Sequence, residues 1–144
     1  MSLPEVVIDT NVVLDWLVFG DPRVQPLAAA LEGGRLCWWR SAGMAGELER
    51  VLDYPALQPW LAAGRLDKST LLAHAARHVT PAAEGAPAPL HLRCSDPDDQ
   101  CFIDLALAHP GCRLISRDKA LLALRKQASA RGVEVLTPAQ WAVA

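Results

Sequence analysis

The stretch Val6-Val7-Ile8-Asp9-Thr10-Asn11-Val12-Val13 changes its hydrophobic period halfway along. Its first three residues are apolar and β-branched with no polar alternate, the pattern of a strand buried on both faces. Thr10 and Asn11 then offer capping side chains to a helix whose inner face is Val12, Val13, Trp16 and Leu17. One acid, Asp9, stands at the joint. A strand covered on both faces and feeding a helix is a building unit of a parallel sheet.

The same alternation continues along the chain. A helix is expected over residues 22–31, opened by Pro22 and stopped at Gly33-Gly34, then a strand over 35–39. Ser41 caps a helix that turns Met44, Leu48, Val51 and Leu52 inward. Helices follow over 55–61 and 68–78, then a Pro- and Ala-rich loop over 80–89. Past Asp96 comes a helix that buries Phe102, Ile103, Leu105, Ala106 and Leu107. A strand over 112–116, a helix over 119–130, a strand over 133–136 and a last helical turn over 138–143 complete the reading. The expected architecture is one α/β domain over residues 1–144, its central parallel sheet flanked by helices on both faces. Ligands of such sheets bind outside the carboxyl ends of the strands.

Composition narrows the function. The chain has 144 residues, 51% apolar and 21% charged, which excludes a disordered tail and suits one packed domain. Its apolar runs are shorter than the roughly 20 residues that span a bilayer. Residues 1–5 lack a basic leader, so a cytoplasmic location is expected. Cys37, Cys94, Cys101 and Cys112 form no CxxC pair and are expected as reduced thiols. His74 and His78 stand four apart without the glutamate of a zinc-protease helix, and read as polar-face residues. A net charge of −2 excludes nucleic-acid binding by bulk positive charge.

The acids carry more information. Asp9 ends the first strand, Asp118 follows the strand Leu114-Ile115-Ser116 by two residues, and Asp96, Asp98 and Asp99 crowd a helix start. Glu47 lies about two turns into the helix after the second strand. In a parallel sheet all of these fall toward one edge. Two carboxylates ~5 Å apart repel by roughly 3 kcal/mol at an effective dielectric near 20. Convergence therefore calls for a proton or a divalent cation. All-oxygen ligands favour Mg²⁺ or Mn²⁺, which polarise a phosphodiester and acidify a bound water. Read alone, Asp118 is equally a helix cap, and at least one of Asp96, Asp98 and Asp99 only complements a helix dipole. Asp15, Asp21, Asp67 and Glu134 read as surface or turn residues, and Asp104 faces either the acids or solvent. Arg40, Arg93 and Arg117, near strand ends, are candidate phosphate contacts. Of the neighbours Trp38 and Trp39, at least one belongs to the core; Trp16, Trp60 and Trp141 read as core or dimer anchors.

Four ordered blocks resemble the PIN-domain ribonucleases. Val6-Val7-Ile8-Asp9-Thr10-Asn11-Val12-Val13 is similar to their opening strand and first acid, and Ser41-Ala42-Gly43-Met44-Ala45-Gly46-Glu47-Leu48-Glu49-Arg50-Val51-Leu52 to their second-acid helix. Asp96-Pro97-Asp98-Asp99-Gln100-Cys101-Phe102-Ile103-Asp104 resembles the third block and Leu114-Ile115-Ser116-Arg117-Asp118-Lys119 the fourth. Leu136-Thr137-Pro138-Ala139-Gln140-Trp141 is similar to the ending of the toxins of toxin–antitoxin pairs. The resemblance implies metal-binding, catalytic acids at Asp9, Glu47, Asp99 and Asp118, with Asp96 or Asp98 sharing the third role. It implies flanking polar positions at Asn11 and Ser116. It further implies Mg²⁺- or Mn²⁺-dependent cleavage of single-stranded RNA, a homodimer and a small inhibitory antitoxin. Asp104 departs from the small residue often found at its place.

Rival readings fit less well. A haloacid-dehalogenase-type phosphatase needs a second Asp where Asn11 stands, and a receiver domain needs an acidic pair at the first strand. The alternative from another class is a catalytically silent module of the same fold that binds RNA or protein. Retention of all four acidic positions weighs against it, because clustered unpaired charge destabilises a fold.

Overall fold

The computed structural model describes residues 2–144. Among them run five strands, β1 (Glu5–Ile8), β2 (Cys37–Ser41), β3 (Val79–Ala82), β4 (Arg113–Ile115) and β5 (Glu134–Leu136). Every pairing is parallel, in the order β3-β2-β1-β4-β5. The chain begins at the middle strand, builds outward through β2 and β3, then crosses back to lay down β4 and β5. The winding reverses between β1 and β4, and a crevice opens there at their carboxyl ends.

The helices are α1 (Thr10–Leu14), α2 (Gln25–Glu32), α3 (Ala42–Val51), α4 (Gln58–Ala63), α5 (Lys68–Ala76), α6 (Gln100–Leu107), α7 (Lys119–Leu122), α8 (Arg125–Ser129) and α9 (Pro138–Val143). Strand alternation sorts them into two layers. Val6, Ile8, Trp38 and Ile115 face a core shared with Leu27 and Leu31 of α2 and Leu71 of α5. Val7, Leu114 and Val135 face the other, with Phe102 and Leu105 of α6 and Leu121 of α7. The expected helix-covered parallel sheet is therefore present. Trp38 is core, whereas Trp39 on the opposite face stacks on His109 at 4.3 Å and donates its indole N–H to Glu5. Trp60 is 53% exposed and packs edge-on against Phe19.

Several elements differ from expectation, and β2 runs over 37–41 rather than 35–39. Residues 79–82, expected at the junction of the helix over 68–78 and the start of the loop over 80–89, form β3, pairing Arg40 with Pro81. A proline is tolerated there because β3 is an edge strand, where one side of the backbone has no ladder partner. The helix after β1 changes winding at Asp15 into a π-helical turn, Asp15–Phe19. The expected helix over 119–130 is broken at Ala123 and Leu124 into α7 and α8.

The segment after β3 straps across α6. Gly85 lies so close to that helix that a Cβ would sit 2.4 Å from the Asp104 backbone carbonyl. Asp104 faces neither the acids nor solvent alone: its Oδ1 accepts from the Ala88 backbone N–H at 2.8 Å and the Gln100 amide at 3.0 Å. Gln100 in turn accepts from the Cys94 N–H. Gly85→Ala should therefore cost about 1–3 kcal/mol by overpacking against backbone that cannot yield. In thermal unfolding it should lower Tm by several degrees, and an unchanged Tm would show that the strap does not press on α6.

Candidate metal centre

Asp9 leaves β1 with its own N–H bonded to the Ile115 carbonyl at 3.0 Å, which fixes the side chain at the β1–β4 crevice. It caps α1, accepting from the Asn11 backbone N–H at 3.2 Å through Oδ1, while Oδ2 accepts the Ser116 hydroxyl at 2.8 Å. Ser116 is fully buried and its Oγ accepts from the Asp118 N–H at 2.9 Å. One hydroxyl thus links the acid after β1 to the acid after β4. Asp118 caps α7, accepting from the Ala120 N–H at 2.8 Å. Asp99 arrives from a 3-10 turn, Pro97–Asp99, that leads into α6.

These three acids converge. Asp9, Asp99 and Asp118 each offer a carboxylate oxygen, and the three lie within 4.8 Å of one another. Asp99 Oδ2 is buried and, among the described residues, is the one buried side-chain oxygen or nitrogen without a hydrogen-bond partner. The remaining predicted residues stand around this centre. Glu47 of α3 is half-buried beside it, with its carboxyl pushed up by burial and then by the Asp9 charge. Asp96 is spent on capping its own turn, accepting from the Asp98 N–H at 3.0 Å, and Asp98 is exposed on the rim. Asn11 supplies its backbone N–H while its side chain is exposed.

Sequence reasoning missed Asp15. Read as a surface acid, it is only 4% exposed and pairs with Arg117, Nε to Oδ2 at 2.7 Å and Nη2 to Oδ1 at 3.2 Å. The signal was its place three residues after Val12, inside an otherwise apolar helical stripe. Arg117, read as a phosphate contact, is held by this pair between Ser116 and Asp118, and its charge favours the ionised form of Asp9. Arg40 is drawn over the Trp38 ring at 5.4 Å and is half-buried. Arg93 is exposed.

The charge arithmetic explains what the centre needs. Burial first, then the Asp9 charge and a hydrogen bond with Asp118, push Asp99 up to about 7. Burial likewise raises Asp9, against the pull of Ser116 and Asn11. An all-oxygen set with a buried, unpartnered carboxylate oxygen fits a hard divalent cation such as Mg²⁺ or Mn²⁺.

The sign of the pH dependence follows. Asp99 binds its proton more tightly folded than unfolded, so stability is gained as pH falls through 7 and lost as it rises. Metal-free protein should show a higher Tm at pH 5.5 than at pH 8, and Asp99→Asn should flatten that slope. A wild-type Tm that climbs over this interval would mean that the acids are not crowded.

A search of curated proteins finds no match for the chain. The family model described as PIN domain matches residues 5–120, a span that holds β1 to β4 and Asp9, Glu47, Asp99 and Asp118. On that match over most of its length, the chain belongs to the PIN domain family.

Proposed function

We propose that the protein is an Mg²⁺- or Mn²⁺-dependent endoribonuclease that cleaves single-stranded RNA, acting as the toxin of a toxin–antitoxin pair. PIN domains are generally nucleases and typically use divalent metals. The observation that carries the reading is the meeting of Asp9, Asp99 and Asp118 from three distant parts of the chain, with one Asp99 oxygen buried and unpartnered. Surface acids that serve solubility have no reason to be buried together.

Each residue has a task in this scheme. Asp9, Asp99 and Asp118 hold the cation, and Glu47 is placed to take part from the α3 side. Ser116 keeps the Asp9 carboxylate turned inward and fixes the Asp118 backbone at the same time. Arg117, anchored on Asp15, keeps positive charge beside the acids. A bound divalent cation supplies charge neutralisation at the phosphate and a water acidified for attack. Near neutral pH without metal, Asp99 holds a proton that must leave before its carboxylate can serve as a ligand.

RNA as substrate and the toxin role are supported by the resemblance of the four acidic blocks and of the Leu136-Thr137-Pro138 ending. The same resemblance supports a cognate antitoxin, and it supports a homodimer together with the exposed Trp60. Among the described residues no helix is long and apolar enough to cross a membrane, in keeping with the cytoplasmic location we propose.

Labelled single-stranded RNA tests the reading. Wild type should cut with Mn²⁺ or Mg²⁺ and not with EDTA, and Asp9→Asn or Asp118→Asn should lower the rate by about two orders of magnitude or more. Ser116→Ala, which leaves the ligands in place, should weaken metal binding by about tenfold. Metal-independent cutting would remove the metal-dependent mechanism, and no cutting by the wild type would remove the proposal and leave a binding module.

A further inference from the structure

A groove of about 380 Å³ runs beside the acid triad. One wall is a stripe of α3 and its C-terminal extension, formed by Gly43, Glu47, Arg50 and Tyr54; Glu84 and Asp98 stand opposite. The spacing of four and three places Gly43, Glu47 and Arg50 on one face of α3. Tyr54 follows in extended backbone, past the turn that ends α3.

The two ends differ. At Gly43 the groove is stopped, because Glu84 reaches across to accept the Gly43 N–H at 3.0 Å, and a Cβ on Gly43 would lie 2.9 Å from that carboxylate. At the other end Tyr54 is 54% exposed. Between Glu47 and Tyr54, Arg50 lies back over Gly46, its Nη1 3.5 Å from where a Gly46 Cβ would be. Among the described residues Arg50 has no ion-pair partner, unlike Arg23, Arg113 and Arg117.

We propose that this groove carries the strand flanking the cleaved bond, with Arg50 on the neighbouring phosphate and Tyr54 stacking the base beyond it. The inference rests on the nuclease reading above. Met44 and Cys101 also line the groove. Among its charged residues Arg50 stands alone against Glu47, Glu84 and Asp98, so the backbone phosphate of a passing strand has one favourable seat. An exposed aromatic ring next to that seat, at the open end of a polar groove, suits an unstacked base. Glu84 blocks the opposite direction, so the strand leaves the metal centre toward Tyr54.

Cleavage and binding of a single-stranded RNA oligonucleotide by wild type, Tyr54→Ala, Tyr54→Phe and Arg50→Ala test this. Tyr54→Ala should raise KM about tenfold with kcat within about twofold, and Tyr54→Phe should behave as wild type, because the ring and not the hydroxyl stacks. Arg50→Ala should weaken binding and lower the slope of log affinity against log salt by about 0.7. All four proteins should keep the same Mn²⁺-induced Tm shift. If wild type cuts and both alanine variants match it, the groove is not the path, although the nuclease reading stands. If Tyr54→Ala changes the oligomeric state and not KM, Tyr54 is a contact between copies and the inference falls. If wild type neither binds nor cuts RNA, the nuclease reading falls and this inference with it.

Discussion

Mutual repulsion among three clustered carboxylates, two of them buried, governs the carboxyl edge of this sheet. With ligand oxygens within 4.8 Å of one another, each ionised pair opposes folding by roughly 3 kcal/mol at an effective dielectric near 20. The fold meets this cost with contacts that come from elsewhere in the chain. The Ser116 hydroxyl and the Asn11 N–H offset part of the burial of Asp9, and Arg117 brings a positive charge to its side. What they leave uncompensated is concentrated on Asp99, which retains a proton to about pH 7. That residual is the property a cation would use. A site fully neutralised by its own side chains would gain nothing from a metal.

The position of the centre follows from the winding. Because β1 is central and the winding reverses between β1 and β4, the residues after β1 and β4 emerge side by side with room between them. Asp9 and Ser116 are tied to neighbouring strands through backbone bonds to Ile115 and Leu136, so their side chains inherit the sheet's rigidity. The Asp15–Arg117 pair extends the same framework outward. Arg117 lies in the short turn between Ser116 and Asp118, and anchoring it on a buried acid restrains that turn. A buried acid beside an arginine contributes little to net stability, but it does specify one geometry.

Much of this was legible in the sequence because it depended on short-range patterns. The apolar runs of β1, β4 and β5 and the acids placed just after β1 and β4 follow from strand period and capping chemistry. The strand after Gly34 was set two residues early, since Arg35 and Leu36 fit an alternating strand as well as Arg40 and Ser41 do. β3 was hidden by Pro81, whose cost vanishes at an edge. Asp99 could not be chosen from Asp96, Asp98 and Asp99 by composition, because the choice depends on which carboxylate the 3-10 turn directs inward; it came from the family resemblance. What Asp104 and Asp15 pair with was beyond local reasoning for the same cause. Their partners, Ala88 and Arg117, lie 16 and 102 residues away.

The central claim is that the converging acids form a divalent-cation site. Calorimetric titration of Mn²⁺ into metal-free protein at pH 6.5, in two buffers of different ionisation enthalpy, tests it most directly. The account predicts saturable binding with release of about one proton, and an affinity at least tenfold weaker in Asp99→Asn. Binding with no proton release, with the same affinity in Asp99→Asn, or no binding at all would contradict it.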